Sequence, residues 1–275
     1  MLKPNSDTKS ITVDLVKTGS IECFIVGTTP MIHNAFSAKA REMILDPPKK
    51  KNEAERASTV KHDPLCEFRA SVYRHSGDDR PTRLMFPVGA FKRAISDCAL
   101  DMPGARKAQI GRLVWIEGRD VDVYGIPLLS MMAVRLADMK RTPDIRTRAI
   151  LPEWCCKLTI RFVEPLVNET VIANLLANAG LIIGIGDFRQ QKGAGSYGQF
   201  SLVNEDDEEW HRIAESGGRV AQDAALAAAV PYDEEARSLL EYHAESLKRR
   251  GAVTNGTGRA KGSKRTIATA SEVVQ

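Results

Sequence analysis

The sequence predicts an α+β protein whose core follows the order strand, helix, strand, strand, helix, strand. Three observations lead to this prediction. An apolar run bounded by Gly19 and Gly27 indicates a buried strand. Residues 87–100 and 171–179 space their apolar side chains as core-facing helices do. Residues 157–163 alternate polar and apolar side chains, which is typical of a strand with one wet face.

The N-terminal half begins with a strand over residues 20–26. Ser37 is a suitable N-cap for a helix over residues 38–45, because its hydroxyl can accept a bond from a free backbone N–H. Asp63 and Pro64 are an N-cap and first-turn pair for a second helix that runs to about residue 75.

The remaining elements are predicted from the same apolar periodicities and from turn residues between them. Residues 138–148 are predicted to form a charged loop, because they carry several basic side chains around a proline. The order of elements suits a β-α-β-β-α-β, ferredoxin-like core with helical and loop insertions. The other predicted elements are strands over 84–86, 121–124, 131–134 and 199–203 and helices over 87–100, 105–117 and 171–179.

The composition changes after residue 204, and three segments are predicted. Residues 1–204 form the folded α+β domain, and residues 205–249 form an acidic and helical C-terminal extension. Residues 250–275 are predicted to be a disordered basic tail, because they have too few large apolar side chains to offset the entropy of ordering. Residues 248–275 carry seven Lys or Arg and one acidic residue, so the tail accounts for the positive net charge of +4.

The composition also narrows the class of protein. Hydrophobic residues make up 43% of the chain, which is enough for a core, and no apolar run is long enough to span a bilayer. The N-terminal residues lack the apolar stretch of a signal peptide, so a cytoplasmic protein is expected. Cys155 and Cys156 are adjacent on a predicted strand and should point to opposite faces. The cysteine spacing predicts reduced thiols and neither a disulfide framework nor a zinc site.

Residues 180–200 form the most informative segment, because six glycines lie between a predicted helix and a predicted strand. Glycine permits positive φ and close approach of another chain. Arg189, Lys192 and Tyr197 lie among these glycines, and cations with an aromatic ring suit a phosphodiester backbone and its bases. Gly193, Gly195 and Ser196 are candidates to close over a phosphate. The segment lacks the Gly-Lys-Ser/Thr of a P-loop.

Four segments of the chain carry a family resemblance: residues 28–45, 83–100, 150–164 and 180–200. In this order they resemble the RAMP superfamily, the CRISPR-associated RNA-binding proteins built on RRM-like ferredoxin folds. The first resembles the strand, loop and helix that begin backbone-type subunits, and the second their strand-to-helix step. The third resembles the strand before the last helix, and the fourth the C-terminal glycine-rich loop. The same arrangement occurs in phage and prophage proteins.

The resemblance implies a non-catalytic protein that binds single-stranded RNA, or single-stranded DNA, as one copy in a head-to-tail assembly or a multi-subunit ribonucleoprotein. Lys92 and Arg93 begin a helix in the segment that resembles the RNA-contacting step. Arg141, Arg146 and Arg148 lie where the resemblance places a thumb-like insertion that wedges between bases. No cofactor and no metal is expected.

Two alternatives stay open from the sequence. The first is a metal-independent endoribonuclease of the same superfamily, with His33 as the general acid–base candidate because a histidine titrates near neutral pH. The second is a phage structural or assembly protein that uses the same fold only for protein contacts. Loss of RNA cleavage in His33→Ala would favour the first, and salt-insensitive oligomers without nucleic acid would favour the second.

Overall fold

Two antiparallel sheets and seven α-helices make up the part of the chain that the structure describes. The structure is a computed structural model, and it describes residues 15–36, 44–45, 62–135, 139, 141–192 and 195–249. The strands are β1 Lys17–Gly27, β2 Met31–Ile32, β3 Met85–Pro87, β4 Val114–Ile116, β5 Asp120–Tyr124, β6 Leu128–Arg135, β7 Pro143–Leu151, β8 Cys155–Glu164 and β9 Phe200–Val203. The helices are α1 Pro64–Ser71, α2 Val88–Cys98, α3 Lys107–Leu113, α4 Glu169–Ile182, α5 Glu208–Ser216, α6 Arg219–Ala227 and α7 Glu234–Arg249, and a 3₁₀-helix covers Gln190–Lys192.

The larger sheet has the strand order β3-β5-β8-β1-β9, and β4 also pairs with β8. Every neighbouring pair in it is antiparallel. β4 lies against residues 160–162 of β8 and β5 against residues 155–156, so the two follow one edge of β8 in succession. The predicted α+β class is therefore confirmed.

The larger sheet buries side chains on both faces. On one face Cys23 and Ile25 of β1 belong to the main hydrophobic core, which α2 and α4 cover. On the other face Val26 and Cys155 pack against Ile213 of α5 in a smaller cluster. The alternating direction of side chains along each strand produces this division.

The adjacent thiols of Cys155 and Cys156 face opposite sides of β8, as predicted, because one belongs to the smaller cluster and the other to the main core. Both are fully buried, and the five cysteines are free thiols. Burial raises the pKa of Cys155 to about 12 and the pKa of Cys23 to about 11. These two thiols stay protonated near neutral pH and are poor nucleophiles.

Two helix starts follow directly from the sequence. The Asp63 carboxylate accepts a hydrogen bond from the Cys66 backbone N–H at 3.1 Å, and Pro64 occupies the first turn of α1. The Asn168 side chain caps α4 in the same way, with its oxygen 2.9 Å from the Val171 nitrogen. Both caps satisfy a backbone donor that the first helical turn leaves unpaired.

Two predicted elements were wrong in part. The predicted helix over residues 105–117 ends at Leu113, and the chain continues as β4, because the apolar side chains of Val114 and Ile116 are buried when this segment pairs with β8. The predicted loop over residues 138–148 is largely strand β7, because Thr147 and Ala149 alternate inward and pair with β6. The basic side chains of this segment obscured the alternation.

The smaller sheet has the order β2-β7-β6. Its strands β6 and β7 are inserted between β5 and β8 in the chain, whereas β2 follows β1. α1 packs on β7, and α7 packs on β6. Its edge strand β2 continues as an isolated bridge between Ile32 and Asp187, which joins this sheet to the glycine-rich segment. The predicted helix over residues 38–45 lies almost wholly outside the described residues, and the predicted tail over 250–275 lies entirely outside them.

The segment after residue 204 packs on the core through α5, α6 and α7. Leu226 of α6 and Ala236 of α7 belong to the main hydrophobic core. Gln222 of α6 is fully buried, and its amide joins the backbone of three separate segments of the domain. Arg69 of α1 donates to the Leu226 carbonyl at 2.8 Å and so binds the C-terminal end of α6. Within the described ranges, no helix has the length and apolar character needed to cross a membrane.

Candidate nucleic-acid interface

A cavity of about 310 Å³ lies between the start of α2 and the glycine-rich segment after α4. Four parts of the chain line it: the residues after β2, those after α1, the β3–α2 step, and residues 183–191. Two of the predicted binding residues, Arg93 and Arg189, are among its lining side chains. Both are cationic guanidinium groups, so the cavity suits an anionic ligand.

The first turn of α2 forms part of the wall of this cavity. Pro87 is the N-cap residue, and no side chain caps the helix. The Val88 N–H donates to the Arg119 carbonyl at 3.1 Å, while Gly89 and Ala90 line the cavity. A helix start of this kind presents N–H groups and a partial positive charge.

The glycine-rich segment folds back on itself and is bonded to the β1–β2 connection. The Ile185 N–H donates to the Gly198 carbonyl at 2.9 Å, and the Gly198 N–H donates to the Pro30 carbonyl at 2.8 Å. Gly184 and Gly186 have φ of 70° and 84°, and Gly198 has φ of 72°. These are left-handed values that favour glycine. Residues 184–186 and 198 are therefore bonded into the domain.

Internal packing explains several of these glycines. A Cβ atom on Gly198 would overlap the Ile185 carbonyl, and one on Gly195 would overlap the Phe188 carbonyl. Gly195 is thus needed to let the loop close on itself, whether or not a phosphate binds there. Ser196 is exposed and Tyr197 is half-buried. Gly193 and the side chain of Lys192 lie outside the described residues.

Arg189 is held by bonds within the same segment. Its Nε and Nη2 atoms donate to Gln191 Oε1 at 3.2 and 3.1 Å, and its Nη1 donates to the Gly186 carbonyl at 3.2 Å. Arg93 is exposed on α2. Lys92, which the sequence paired with Arg93, is half-buried and does not line the cavity. Arg189 and Arg93 are therefore the two predicted cations that the structure brings together.

Arg148 joins the inserted sheet to the cavity through an acid. Its Nη1 lies 2.5 Å from Asp187 Oδ2, and Asn34 Nδ2 donates to that same oxygen at 3.0 Å. The Arg148 guanidinium also lies over the Phe188 ring, 5.6 Å from its centroid. Burial lowers the pKa of Arg148, and the Asp187 charge acts in the opposite direction. Arg148 thus positions the wall of the cavity instead of lining it.

The other two basic residues of the predicted insertion lie apart from the cavity. Arg146 is exposed on β7, and its Nε lies 3.6 Å from Asp144 Oδ2. Arg141 is exposed just before β7 and has a positive φ of 47°. The β6–β7 hairpin therefore carries cations along its outer part, but these do not converge with Arg93 and Arg189.

His33 lies in the core and not in the cavity wall. It is fully buried between Tyr73 and Phe86, and its Nδ1 accepts a long 3.4 Å bond from the Tyr73 backbone N–H. Its Nε2 has no hydrogen-bond partner among the described residues. Burial lowers the pKa of His33 to about 3. A neutral, enclosed imidazole in this position argues against the His33 nuclease alternative.

This burial predicts a specific acid sensitivity. Because the unfolded chain binds a proton near pH 6.5 and the folded chain only near pH 3, His33 favours unfolding as the pH falls below 6.5. We expect it to contribute about 2 kcal/mol to the loss of unfolding free energy between pH 7 and pH 5. Urea unfolding at the two pH values should show that His33→Asn loses less unfolding free energy than the wild type, by that amount. The exposed His211→Asn is the matched control, and equal losses in all three proteins would contradict the prediction.

Several site residues carried no signal in the sequence. Asn34, Tyr73, Asp187 and Gln191 line the cavity, yet each is an ordinary polar or aromatic residue in its local segment. Trp154 and Phe162, aromatic residues beside and on β8, are both fully buried in the core, so neither ring is exposed for base stacking. Only the three-dimensional fold brings the lining residues together.

Comparisons with known proteins add nothing to this geometry. No protein-family model matches the sequence, and no curated protein matches it. In the described part of the chain, no three His, Cys, Asp or Glu side chains cluster as metal ligands would.

Proposed function

We propose that this protein binds single-stranded nucleic acid, RNA above all, without cleaving it, through the cavity between α2 and the glycine-rich segment. The observation that carries the proposal is the meeting of Arg93 and Arg189 at one cavity, beside an uncapped helix start. Cations and free N–H groups together suit the phosphates of a strand. Affinity of this kind is mostly electrostatic and falls with salt.

We further propose that the core is ferredoxin-like and RRM-like and belongs to the RAMP type. The support is the strand order β9-β1-β8 followed by β4 and β5, all antiparallel, with α2 before the β4–β5 edge and α4 before β9. A β-α-β-β-α-β unit has this arrangement when its last strand lies beside its first. In this reading the β6–β7 hairpin is the insertion that reaches between neighbouring bases.

The proposal includes assembly of several copies head to tail along one strand. Its support is the charge asymmetry of the chain, with an acidic run over residues 205–209 and a basic tail over 248–275. When two different surfaces of the same protein contact each other, each copy can bind a further copy. The assembly is then an open filament unless the rotation between copies closes a ring. The mass bound per strand should then grow with strand length.

Charge reversal at the cavity tests the binding proposal. We expect Arg93→Glu and Arg189→Glu each to weaken binding of a labelled strand of about 35 nucleotides by about tenfold and to flatten the salt dependence. Fluorescence polarisation with RNA and with DNA at two salt concentrations measures both effects, and light scattering of the same samples gives the mass per strand. The matched control is Arg237→Glu on α7, an exposed arginine paired with Glu234 outside the cavity.

The basic tail needs its own control, because it can attract any polyanion. A chain ending at Arg250 should keep most of the cavity-dependent affinity. Binding that disappears only with the tail would contradict the proposal. Oligomers that form without nucleic acid and ignore salt would instead favour the assembly-protein alternative.

A further inference from the structure

Arg189 is held so that part of its guanidinium group stays available. An arginine side chain has five N–H donors: one on Nε and two on each Nη. The bonds to Gln191 and to the Gly186 carbonyl use one donor on each of the three nitrogens. Among the described residues, one donor on Nη1 and one on Nη2 remain without a partner. Two such donors on one rigid plane match two oxygens of a phosphate group.

Gln191 can hold Arg189 in this way only because its own amide is fixed. Its Oε1 accepts both bonds from Arg189, and its Nε2 donates to Asp97 Oδ2 at 2.7 Å. A flipped amide would place its NH₂ group against the guanidinium and its oxygen against a carboxylate. Asp97 therefore sets the direction of the Gln191 amide.

Asp97 is in turn held by α3. It is only 6% exposed on α2, and its Oδ1 lies 2.5 Å from Lys107 Nζ, in an ion pair that is not an aligned hydrogen bond. Burial raises the pKa of Asp97, but the ion pair with Lys107 and the bond from Gln191 outweigh burial and hold the pKa below its ordinary value. The carboxylate thus stays charged at neutral pH and keeps accepting from Gln191.

We infer that Lys107, Asp97 and Gln191 are positioning residues that hold Arg189 with two N–H donors directed to a single phosphate of the bound strand. This inference rests on the proposed function and adds to it, because it assigns one phosphate subsite and the residues that orient it. Arg189 and Arg93 then differ in kind. Arg189 binds through donors that are held in a fixed position, whereas Arg93 is exposed and contributes mainly charge.

The test is a double-mutant cycle on the full chain with a labelled single-stranded RNA of about 35 nucleotides. Arg189→Lys keeps the charge but loses the paired donors, so we expect about tenfold weaker binding, whereas Arg93→Lys should change affinity less than about twofold. Gln191→Met should weaken binding about fivefold and should have no further effect in an Arg189→Met background. Gln191 is exposed, so its replacement is compatible with folding. Gln190→Met is the matched control and should bind like the wild type.

An equal fivefold loss from Gln191→Met in both backgrounds would overturn the inference, because Gln191 would then act without Arg189. Equal losses from Arg189→Lys and Arg93→Lys would overturn it as well. RNA and DNA binding by the wild type and by Arg93→Glu distinguishes a failure of this inference from a failure of the proposed function. A wild type that binds neither RNA nor DNA removes the proposed function and the phosphate role of Arg189 together. If the wild type binds, Arg93→Glu weakens binding, and Gln191→Met has the same effect in both backgrounds, then only the positioning role of Gln191 is contradicted.

Discussion

Replacing Gln222 by leucine is expected to lower the free energy of unfolding by about 5 kcal/mol, the largest effect of any single change considered for this protein. The side chain is fully buried, and every bond that its amide can make is used. Its Oε1 accepts from two backbone N–H groups, and the two N–H groups of its Nε2 lie within hydrogen-bonding distance of three backbone carbonyls. These partners are Arg83 N at 2.7 Å, Leu84 N at 2.9 Å, Val123 O at 2.8 Å, Gly125 O at 3.2 Å and Gly217 O at 2.8 Å.

The expected size of the effect follows from what leucine leaves behind. Leucine fills a similar volume but can bond to none of these five backbone groups. The Gly217 carbonyl keeps its bond from the Gly125 N–H, and each buried group left without a partner costs about 1–3 kcal/mol. Some of the groups will find new partners or water, so the total is smaller than the full sum. Because the bonds join the β3 region, β5 and α6, the loss affects the whole domain and not one loop.

Urea unfolding of the wild type and Gln222→Leu measures this effect directly as a change in the unfolding midpoint. Gln109→Leu on the exposed side of α3 is the matched control and should change stability by less than about 0.5 kcal/mol. A loss below about 1 kcal/mol for Gln222→Leu would show that the buried amide is not a main connection between α6 and the sheet.

Replacing Gly198 by alanine is expected to cost about 3 kcal/mol. Two costs add at this position. Its φ of 72° is a left-handed value that costs an L-residue about 1 kcal/mol. A Cβ atom would also overlap the Ile185 carbonyl, so the bond between Ile185 N–H and the Gly198 carbonyl must break or shift.

Gly104 separates these two costs. It has a similar φ of 82°, but a Cβ atom there would meet nothing within 4 Å. Gly104→Ala should therefore lose only about 1 kcal/mol, and the difference between the two variants reports the overlap in the loop. Equal losses for both variants in urea unfolding would contradict the close packing of Gly198 against the Ile185 carbonyl.

Local sequence signals predicted the framework of the fold well. The caps at Asp63 and Asn168 mark α1 and α4, and the apolar run before Gly27 marks β1. The predicted elements were wrong where the side chains of a segment favour a helix or a loop but the segment pairs with another strand. Val114 and Ile116 continue a helical pattern on paper, but their backbone is bonded to β8. A partner strand more than forty residues away is invisible to local periodicity.

The candidate site was predictable only in part. Arg93 and Arg189 could be chosen because a cation near a helix start, or among glycines, suggests an anion site. Gln191 and Asp97 could not, because their bond joins residues 94 positions apart, and neither has a local reason to stand out. The glycines of residues 180–200 were predicted to permit close approach of another chain. For Gly195 and Gly198, the packing of the loop on itself explains their presence.

The bond between Gln222 and the backbone of Leu84 has a consequence for synthesis of the protein. The two residues are 138 positions apart, so a ribosome that adds about 5–20 residues per second needs about 7 to 28 seconds to supply the second after the first. During that interval the backbone groups that Gln222 satisfies, and the apolar surface that Leu226 covers, have no intramolecular partner. The nascent chain therefore passes through a long stage in which this side of the sheet is open to chaperones, and native closure must wait until α6 has left the ribosome.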